Sequence, residues 1–220
     1  MTSVDITVDG HALSAHAGAN LLTVCLNNGI YIPNLCHQAN GDHPPAACRL
    51  CFVEIDGLSA PVTACTVTIS EPIMVRTDTD AVRALQRSAL NLLLSVHKVE
   101  CKVCPANRQC ALQDIAKLLK APLKPKRLPL HLKDIDTVTT HPEFDYWPNR
   151  CVLCGRCVAA CRAANGLPIL TFAGRGFDTI IHVDPVSRSQ QCRDCRVCLD
   201  ACPVGALTPK DTDAEETSAA

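Results

Sequence analysis

Alternating apolar and polar positions open the chain and predict a small β-rich domain over residues 1–78. Val4–Val8 alternates as a half-buried strand does, and Asp9-Gly10 is typical of a tight hairpin turn. Asn20 is a suitable N-cap for a short helix over Leu21–Asn28. The same reasoning predicts three further strands, at Phe52–Asp56, Pro61–Thr66 and Ile73–Arg76.

Helical spacing dominates the following segment. Apolar residues recur every three or four positions over residues 82–96, which predicts a helix that is capped by Asp78 or Asp80 and ends near His97. A shorter pattern over residues 112–119 predicts a second helix that packs back on the first. We therefore expect a helical module over residues 79–120.

The apolar residues show no regular spacing in the next segment. Residues 121–139 are basic and rich in proline, and proline forbids a continuous helix, so we expect a linker. A solvated spacer is the simpler interpretation, and a strap over an acidic partner surface is the alternative. Further on, Ile169–Phe172 and Ile180–Val183 flank glycines and predict a hairpin. The acidic tail, residues 210–220, is expected to lack structure.

Composition narrows the class of protein. The net charge is −1, which gives no electrostatic case for binding nucleic acid. The N-terminus has no signal-peptide pattern, and no apolar stretch is long enough for a membrane span. We therefore expect a cytoplasmic protein, in which 16 cysteines point to metal rather than to disulfides.

Two cysteine runs with the spacing C-x2-C-x2-C-x3-C lie in residues 140–209. This is the ligand pattern of bacterial 2[4Fe–4S] ferredoxins, in which the fourth cysteine of each run ligates the other cluster. Structural zinc is the alternative, but zinc sites use separated cysteine pairs. The pattern assigns one cluster to Cys151, Cys154, Cys157 and Cys202, and the second to Cys192, Cys195, Cys198 and Cys161.

Four earlier cysteines are spaced C-x11-C-x2-C-x13-C. The spacing resembles that of plant-type [2Fe–2S] ferredoxins with a longer first loop, and it is similar to the N-terminal domain of the large iron–sulfur subunit of respiratory complex I. The resemblance implies a β-grasp fold with the ligands Cys36, Cys48, Cys51 and Cys65. Cys25 differs, because it falls on the apolar face of the predicted helix, and we expect it to fill the core.

A histidine precedes the next three cysteines in the pattern H-x3-C-x2-C-x5-C. The segment resembles one shared by complex I, iron-only hydrogenases and NAD-linked formate dehydrogenases, in which a histidine and three cysteines bind a [4Fe–4S] cluster. The resemblance implies that His97, Cys101, Cys104 and Cys110 are the ligands here. An imidazole in place of a thiolate removes one negative charge from such a cluster.

The order of these modules over residues 1–209 resembles the small electron-transfer subunit of the diaphorase module in NAD-linked multimeric hydrogenases. The resemblance implies an α+β protein with a β-grasp [2Fe–2S] domain, a helical His-Cys [4Fe–4S] segment and a bacterial-type 2[4Fe–4S] ferredoxin domain. It also implies an electron relay between an NADH- and FMN-binding flavoprotein subunit and a catalytic subunit. We expect a nickel–iron hydrogenase as that catalytic subunit, because the chain ends too soon for a catalytic domain of its own.

Two alternatives stay open at this stage. The same relay could serve a formate dehydrogenase or an electron-bifurcating complex, and a structural zinc scaffold belongs to another class altogether. The chain shows no glycine-rich dinucleotide motif and no catalytic pair of side chains. We therefore expect it to be a component of an oxidoreductase complex with no active site of its own.

Overall fold

The computed structural model describes residues 2–38, 44–166, 169–183, 192 and 195–210. The chain divides into two compact units. The first consists of Met1–Leu93 with Asp114–Leu128, and the second of Leu94–Gln113 with Pro129–Ala220. The module boundaries expected at residues 78, 120 and 139 stay a prediction, and the acidic tail from residue 211 lies outside the described residues.

A five-stranded mixed sheet forms the body of the first unit. Its strands are β1 (Ser3–Val8), β2 (His11–His16), β3 (Phe52–Ile55), β4 (Val62–Thr63) and β5 (Met74–Arg76). The strand order is β2-β1-β5-β3-β4, with β1 and β5 parallel and the other pairs antiparallel. The predicted first hairpin is confirmed, since Asp9 (φ 49°) and Gly10 (φ 83°) are both left-handed, as a tight two-residue turn requires.

Helix α1 (Leu21–Asn27) packs on this sheet. Its N-cap is Asn20, as predicted, because the Asn20 side chain accepts a hydrogen bond from the Thr23 N–H at 3.2 Å. The buried face of the helix carries Leu21, Leu22 and Cys25, which share one apolar core with the inward-facing residues of β1. The alternation of β1 places Val4, Ile6 and Val8 in that core.

The predicted strand over residues 61–66 is only half right. The strand β4 ends at Thr63, and Cys65 lies on a 3₁₀ turn that spans Ala64–Thr66. The Thr66 hydroxyl donates to the Thr63 carbonyl at 2.8 Å and stabilises the turn. A local side-chain bond of this kind competes with strand pairing and is not visible in the apolar pattern.

Helix α2 (Asp80–Leu94) is confirmed, but its predicted cap is wrong. The cap is Thr79, whose hydroxyl accepts the Val82 N–H at 3.2 Å and donates to Glu54 Oε1 at 2.9 Å. The neighbouring Asp78 carboxylate pairs with Arg83 instead. The second predicted helix is also present, as α3 (Ala111–Leu118).

The second unit contains short helices and two small antiparallel sheets. Its helices are α4 (Arg156–Asn165) and α5 (Val197–Asp200), and its strands are β6 (Phe144–Tyr146), β7 (Leu170–Ala173), β8 (Ile180–Val183) and β9 (Leu207–Pro209). The pair β7–β8 confirms the predicted hairpin. The pair β6–β9 joins residues some sixty positions apart, and the sequence did not predict it.

The connection between α3 and β6 contains no helix or strand, although Val138 forms an isolated bridge to Tyr146. Proline-rich composition accounts for this irregular path. Among the described residues, no helix is both long enough and apolar enough to cross a membrane.

We predict that Cys25→Ala lowers the free energy of unfolding by about 1 kcal/mol, because it removes a buried sulfur without adding a polar group. Cys25 is fully buried, and burial raises the pKa of its thiol to about 11, as expected for an inert core residue. Denaturant unfolding of the iron-loaded protein measures the change. Iron content should stay that of the parent chain, and a loss of iron would show that Cys25 is a ligand.

Candidate metal centres

The first candidate centre lies in the sheet-containing unit. Cys36, Cys48, Cys51 and Cys65 are each no more than 4% exposed. The Cys36 thiol donates to the Cys48 sulfur at 3.4 Å, and this hydrogen bond lowers the pKa of Cys48 to about 6. A hydrogen bond from Cys51 likewise lowers the pKa of Cys65 to about 7. The Cys36 and Cys48 sulfurs are therefore in contact, and Cys51 and Cys65 lie close enough to shift each other's pKa.

Backbone groups influence one sulfur of this centre. Those of Leu50, Cys36 and Leu35 act to lower the pKa of Cys48 and so favour its thiolate. Arg49, between the two cysteines of the pair, has a φ of 54°. Backbone turns of this kind aim successive N–H groups at one point and make the anion-binding concavities found at many iron–sulfur sites.

The second candidate centre begins with a buried histidine. His97 Nδ1 lies 3.0 Å from the Arg150 carbonyl oxygen. A carbonyl can only accept, so Nδ1 carries the proton and Nε2 is left with its lone pair. Burial lowers the pKa of His97, which favours the neutral imidazole that a metal requires. A ring nitrogen fixed by a backbone carbonyl is the usual support of a metal-ligating histidine.

Three cysteines follow His97 in the same compact unit. Burial raises the pKa of Cys110, and the charges of Cys104 and Cys101 raise it further, so these three sulfurs lie near one another. The loop between Cys104 and Cys110 contains Arg108 at a φ of 68°, and the Arg108 N–H donates to the Gln113 side chain at 2.8 Å. The first turn of α3 thus holds the loop in place.

This loop meets a turn near the C-terminus. The Ala111 N–H donates to the Pro203 carbonyl at 3.0 Å. Gly205, at a φ of 65°, lies so close that a Cβ there would be 2.7 Å from the Ala106 Cβ and 3.6 Å from the Cys104 sulfur. Only glycine permits this approach. The His97–Cys110 segment therefore contacts the turn that follows Cys202.

The third candidate centre is a cavity with about 330 Å³ of space, part of it open to solvent. Burial raises the pKa of Cys154 to about 11, and the neighbouring charges of Cys151 and Cys202 also raise it. The Cys202 sulfur accepts the Ala206 N–H at 3.3 Å. The cysteines that line the cavity are Cys151, Cys154, Cys157 and Cys202.

The fourth candidate centre is a cavity of similar size. Burial raises the pKa of Cys198 to about 12, and the charges of Cys161 and Cys192 follow as causes. The Asn165 side-chain amide lies 3.7 Å from the Cys161 sulfur and 4.0 Å from the Cys195 sulfur. The cysteines that line this cavity are Cys161, Cys192, Cys195 and Cys198.

Helix α4 explains how each cavity receives a cysteine from the other run. Cys157 and Cys161 are four residues apart on α4, about one turn, yet they reach different cavities. The same spacing separates Cys198 on α5 from Cys202 just beyond it. The fourth cysteine of each run therefore lines the cavity formed by the other run.

The chemistry of these cavities suits a multi-iron group. Several thiols packed into an apolar space resist ionisation, since burial and like charge both disfavour thiolates. A bound metal centre has the opposite effect on thiol ionisation, because its positive charge deprotonates the thiols that bind it. Among the described residues, no three His, Cys, Asp or Glu side chains converge closely enough to hold a single metal ion.

Tyr146 and Asn165 are polar residues that line the two cavities and that the sequence analysis missed. Tyr146 lies five residues before Cys151, and Asn165 lies one helical turn after Cys161. The helical spacing could have indicated Asn165. The role of Tyr146 depends on the pairing of β6 with β9, for which the local sequence carries no signal.

Comparisons with known proteins find iron–sulfur regions over the first two candidate centres. Residues 1–80 match the model of a 2Fe-2S iron-sulfur cluster binding domain, and residues 86–121 match that of the NADH-ubiquinone oxidoreductase-G iron-sulfur binding region. The chain is therefore an α+β iron–sulfur protein, with a 2Fe–2S domain followed by a 4Fe–4S binding region. This confirms the resemblance inferred from the sequence.

Among its relatives, the chain is 34% identical over 209 residues to the G 2 subunit of the NADH-quinone oxidoreductase of Rhizobium meliloti, covering 93% of this chain and 24% of that protein. The alpha subunit of the NADPH-Fe(3+) oxidoreductase of Geobacter sulfurreducens is 33% identical over 208 residues, covering 94% and 24%. The HndD subunit of the NADP-reducing hydrogenase of Solidesulfovibrio fructosivorans is 28% identical over 216 residues, covering 94% and 36%. The chain thus spans between about a quarter and a third of the length of these relatives.

A solved structure matches most of the chain. One chain of the crystal structure of an NAD+-reducing [NiFe]-hydrogenase in the H2-reduced state superimposes with a TM-score of 0.80 at 27% identity. The match covers 96% of this chain and 89% of that one. The similarity therefore extends well beyond the two regions that the family models match.

We predict that Gly205→Ala destabilises the protein more than Gly176→Ala does. Both glycines are left-handed, so each alanine costs about 1 kcal/mol of backbone strain. Only at position 205 does the new Cβ meet a neighbour, which adds roughly 1–3 kcal/mol of overpacking. Thermal unfolding of the two iron-loaded variants measures the difference, and equal midpoints would show that the contact with Ala106 is loose.

Proposed function

We propose that this chain is an electron-relay subunit that holds one [2Fe–2S] and three [4Fe–4S] clusters. The observation that carries the proposal is the crossed arrangement of the eight C-terminal cysteines in two cavities. That arrangement is the one by which two-cluster ferredoxins ligate two cubes side by side. Bound clusters supply one-electron redox chemistry, and the protein supplies thiolates, burial and hydrogen-bond donors.

We assign the ligands from the cysteines that lie together and, for His97, from the sequence pattern. The [2Fe–2S] site is the set of buried cysteines in the first unit, and the His97 site would use the Nε2 lone pair with the three cysteines that follow it in the pattern H-x3-C-x2-C-x5-C. In order along the chain, the four sets are Cys36, Cys48, Cys51 and Cys65; His97, Cys101, Cys104 and Cys110; Cys151, Cys154, Cys157 and Cys202; and Cys161, Cys192, Cys195 and Cys198.

Iron–sulfur clusters fit these sites better than zinc does. Four zinc ligands must converge on one ion at about 2.0–2.3 Å. The described side chains offer no such convergence, whereas cysteines placed around an open cavity suit a group that contains several metal atoms. We therefore set aside a structural zinc scaffold.

The proposed partners are an NADH- and FMN-binding flavoprotein subunit, which donates or accepts electrons at one end, and a nickel–iron hydrogenase subunit at the other. Support comes from the NAD+-reducing [NiFe]-hydrogenase structure, where the match covers nearly all of both chains. We place the subunit in the cytoplasm, because thiols destined for metal must stay reduced.

A second candidate keeps the relay and changes the catalytic partner. The relatives named as NADH-quinone and NADPH-Fe(3+) oxidoreductase subunits are 34% and 33% identical, above the 28% of the hydrogenase subunit HndD. This ranking favours an electron-relay role in another NAD(P)-linked oxidoreductase. A formate dehydrogenase or an electron-bifurcating complex falls in the same category, and the proteins that co-purify anaerobically distinguish among them.

We predict that Cys161→Ser damages the cluster of the second run and leaves the cluster of its own run intact, because Cys161 lines the cavity of the second run. EPR of the reduced protein identifies the damaged cluster. The signal lost should be the one lost in Cys195→Ser and not the one lost in Cys154→Ser. Cys25→Ser is the matched control that should lose neither, and loss of the Cys154 signal in Cys161→Ser would contradict the crossed assignment.

The relay function is tested by asking which protein must be present before NADH can reduce the clusters. We predict that the isolated, iron-loaded chain does not oxidise NADH with a viologen dye, because its sequence supplies metal ligands but carries no glycine-rich dinucleotide motif. Adding the flavoprotein that co-purifies with it should let NADH reduce its clusters, which EPR detects. Rapid NADH oxidation by the chain alone, or clusters that stay oxidised with the flavoprotein present, would contradict the relay.

A further inference from the structure

A buried arginine, Arg150, has no carboxylate partner among the described residues. Its side chain belongs to a residue that is only 6% exposed and that immediately precedes Cys151. The guanidinium carbon lies 4.2 Å from the centre of the Trp147 ring. The ion pairs that the described residues form do not include Arg150. An aromatic ring attracts a cation but does not neutralise its charge.

Hydrogen bonds from the preceding segment fix the backbone that carries this arginine. Arg150 ends a 3₁₀ turn over Pro148–Arg150. The His97 Nδ1–H donates to the Arg150 carbonyl oxygen at 3.0 Å, and the Lys98 N–H donates to the Asn149 carbonyl oxygen at 2.6 Å. The turn and the His97 segment belong to the same compact unit, so these bonds hold Arg150 in one place within it.

This position places Arg150 next to ligands of two centres. Its carbonyl contacts the ring of His97, the histidine of the second candidate centre. Its Cα is about 3.8 Å from that of Cys151, which lines the cavity of the third centre. The guanidinium therefore lies within the length of one arginine side chain of a backbone segment that contacts both centres.

The missing counter-charge points to the clusters. A buried ion without an opposite charge is costly, so buried cations are normally paired with an anion. An iron–sulfur cluster with its thiolates is a net anion, and reduction adds a further negative charge to it. Clusters bound at the second and third centres would supply the anions that the described side chains do not.

We propose that the Arg150 guanidinium is a fixed positive charge shared by the second and third centres, and that it raises the reduction potentials of both clusters. The inference rests on the proposed function, since it requires those clusters. A nearby cation stabilises the reduced, more negative state of a cluster more than the oxidised state. Arg150 is buried, so water and salt screen its charge less than they screen a surface charge.

The test is a set of EPR-monitored redox titrations on the full iron-loaded chain. Arg150→Met keeps a long side chain and removes the charge. The signal that Cys104→Ser removes and the signal that Cys154→Ser removes should then both titrate at lower potentials. An unchanged potential for either signal in a fully loaded Arg150→Met protein overturns the inference.

Arg162→Met is the matched control. Arg162 immediately follows Cys161, as Arg150 immediately precedes Cys151, but Arg162 is exposed on α4. The substitution removes the same charge from a position that solvent screens, so it should shift the two signals less than Arg150→Met does. Equal shifts in the two variants would show that burial gives Arg150 no special effect, and would overturn the inference.

Arg150→Lys covers the case in which Arg150→Met fails to load the clusters. Lysine keeps the charge and loses the planar group that stacks on Trp147. A lysine variant that loads and titrates at the parent potentials supports the inference, because charge alone then distinguishes the two variants. Lower potentials in Arg150→Lys, or failure of both variants to load, would show that packing is what Arg150 contributes and overturn it. A wild-type chain that binds no iron at these centres would instead contradict the proposed function.

Discussion

Buried thiolate charge is the constraint on which the rest of this structure depends. Burial raises the pKa of thiols in all four candidate centres, and neighbouring sulfurs raise it further. Such thiols stay protonated without a metal and ionise when a cation binds them, so metal binding is coupled both to proton release and to folding. Only 3% of the residues are aromatic, and the free energy of cluster binding would add to the folding free energy.

Left-handed backbone conformations in the cysteine loops are related to the same constraint. Seven non-glycine residues among those described have a positive φ, and five of them lie in the cysteine loops: Ala46, Arg49, Arg108, Leu153 and Arg196. Left-handed residues other than glycine are strained and persist only where the surroundings enforce them. Here the loops gain N–H groups that face sulfur, as with the Leu153 N–H, which donates to the Cys151 sulfur at 3.4 Å.

Much of this architecture could be predicted from the sequence, because it depends on local patterns. The hairpin of β1 and β2, the helices α1 and α2 and the β7–β8 hairpin all follow from periodicity and turn residues. The grouping of cysteines around the two cavities follows from spacing alone. The pairing of β6 with β9 does not, since it depends on residues distant in sequence, and this pairing brings Tyr146 to the cavity of the third centre. Thr79 displaced Asp78 as the cap because Arg83 engages the Asp78 carboxylate, which the sequence pattern could not indicate.

The central claim is that four ligand sets hold four clusters, and the most direct measurement is the iron and acid-labile sulfide content of the anaerobically reconstituted chain, combined with Mössbauer spectroscopy. One two-iron and three four-iron clusters amount to about 14 iron atoms per chain, with about as many sulfides. Mössbauer spectra should then show one two-iron component and a larger four-iron component. Saturation at about 8 iron atoms, or metal bound without sulfide, would contradict the account.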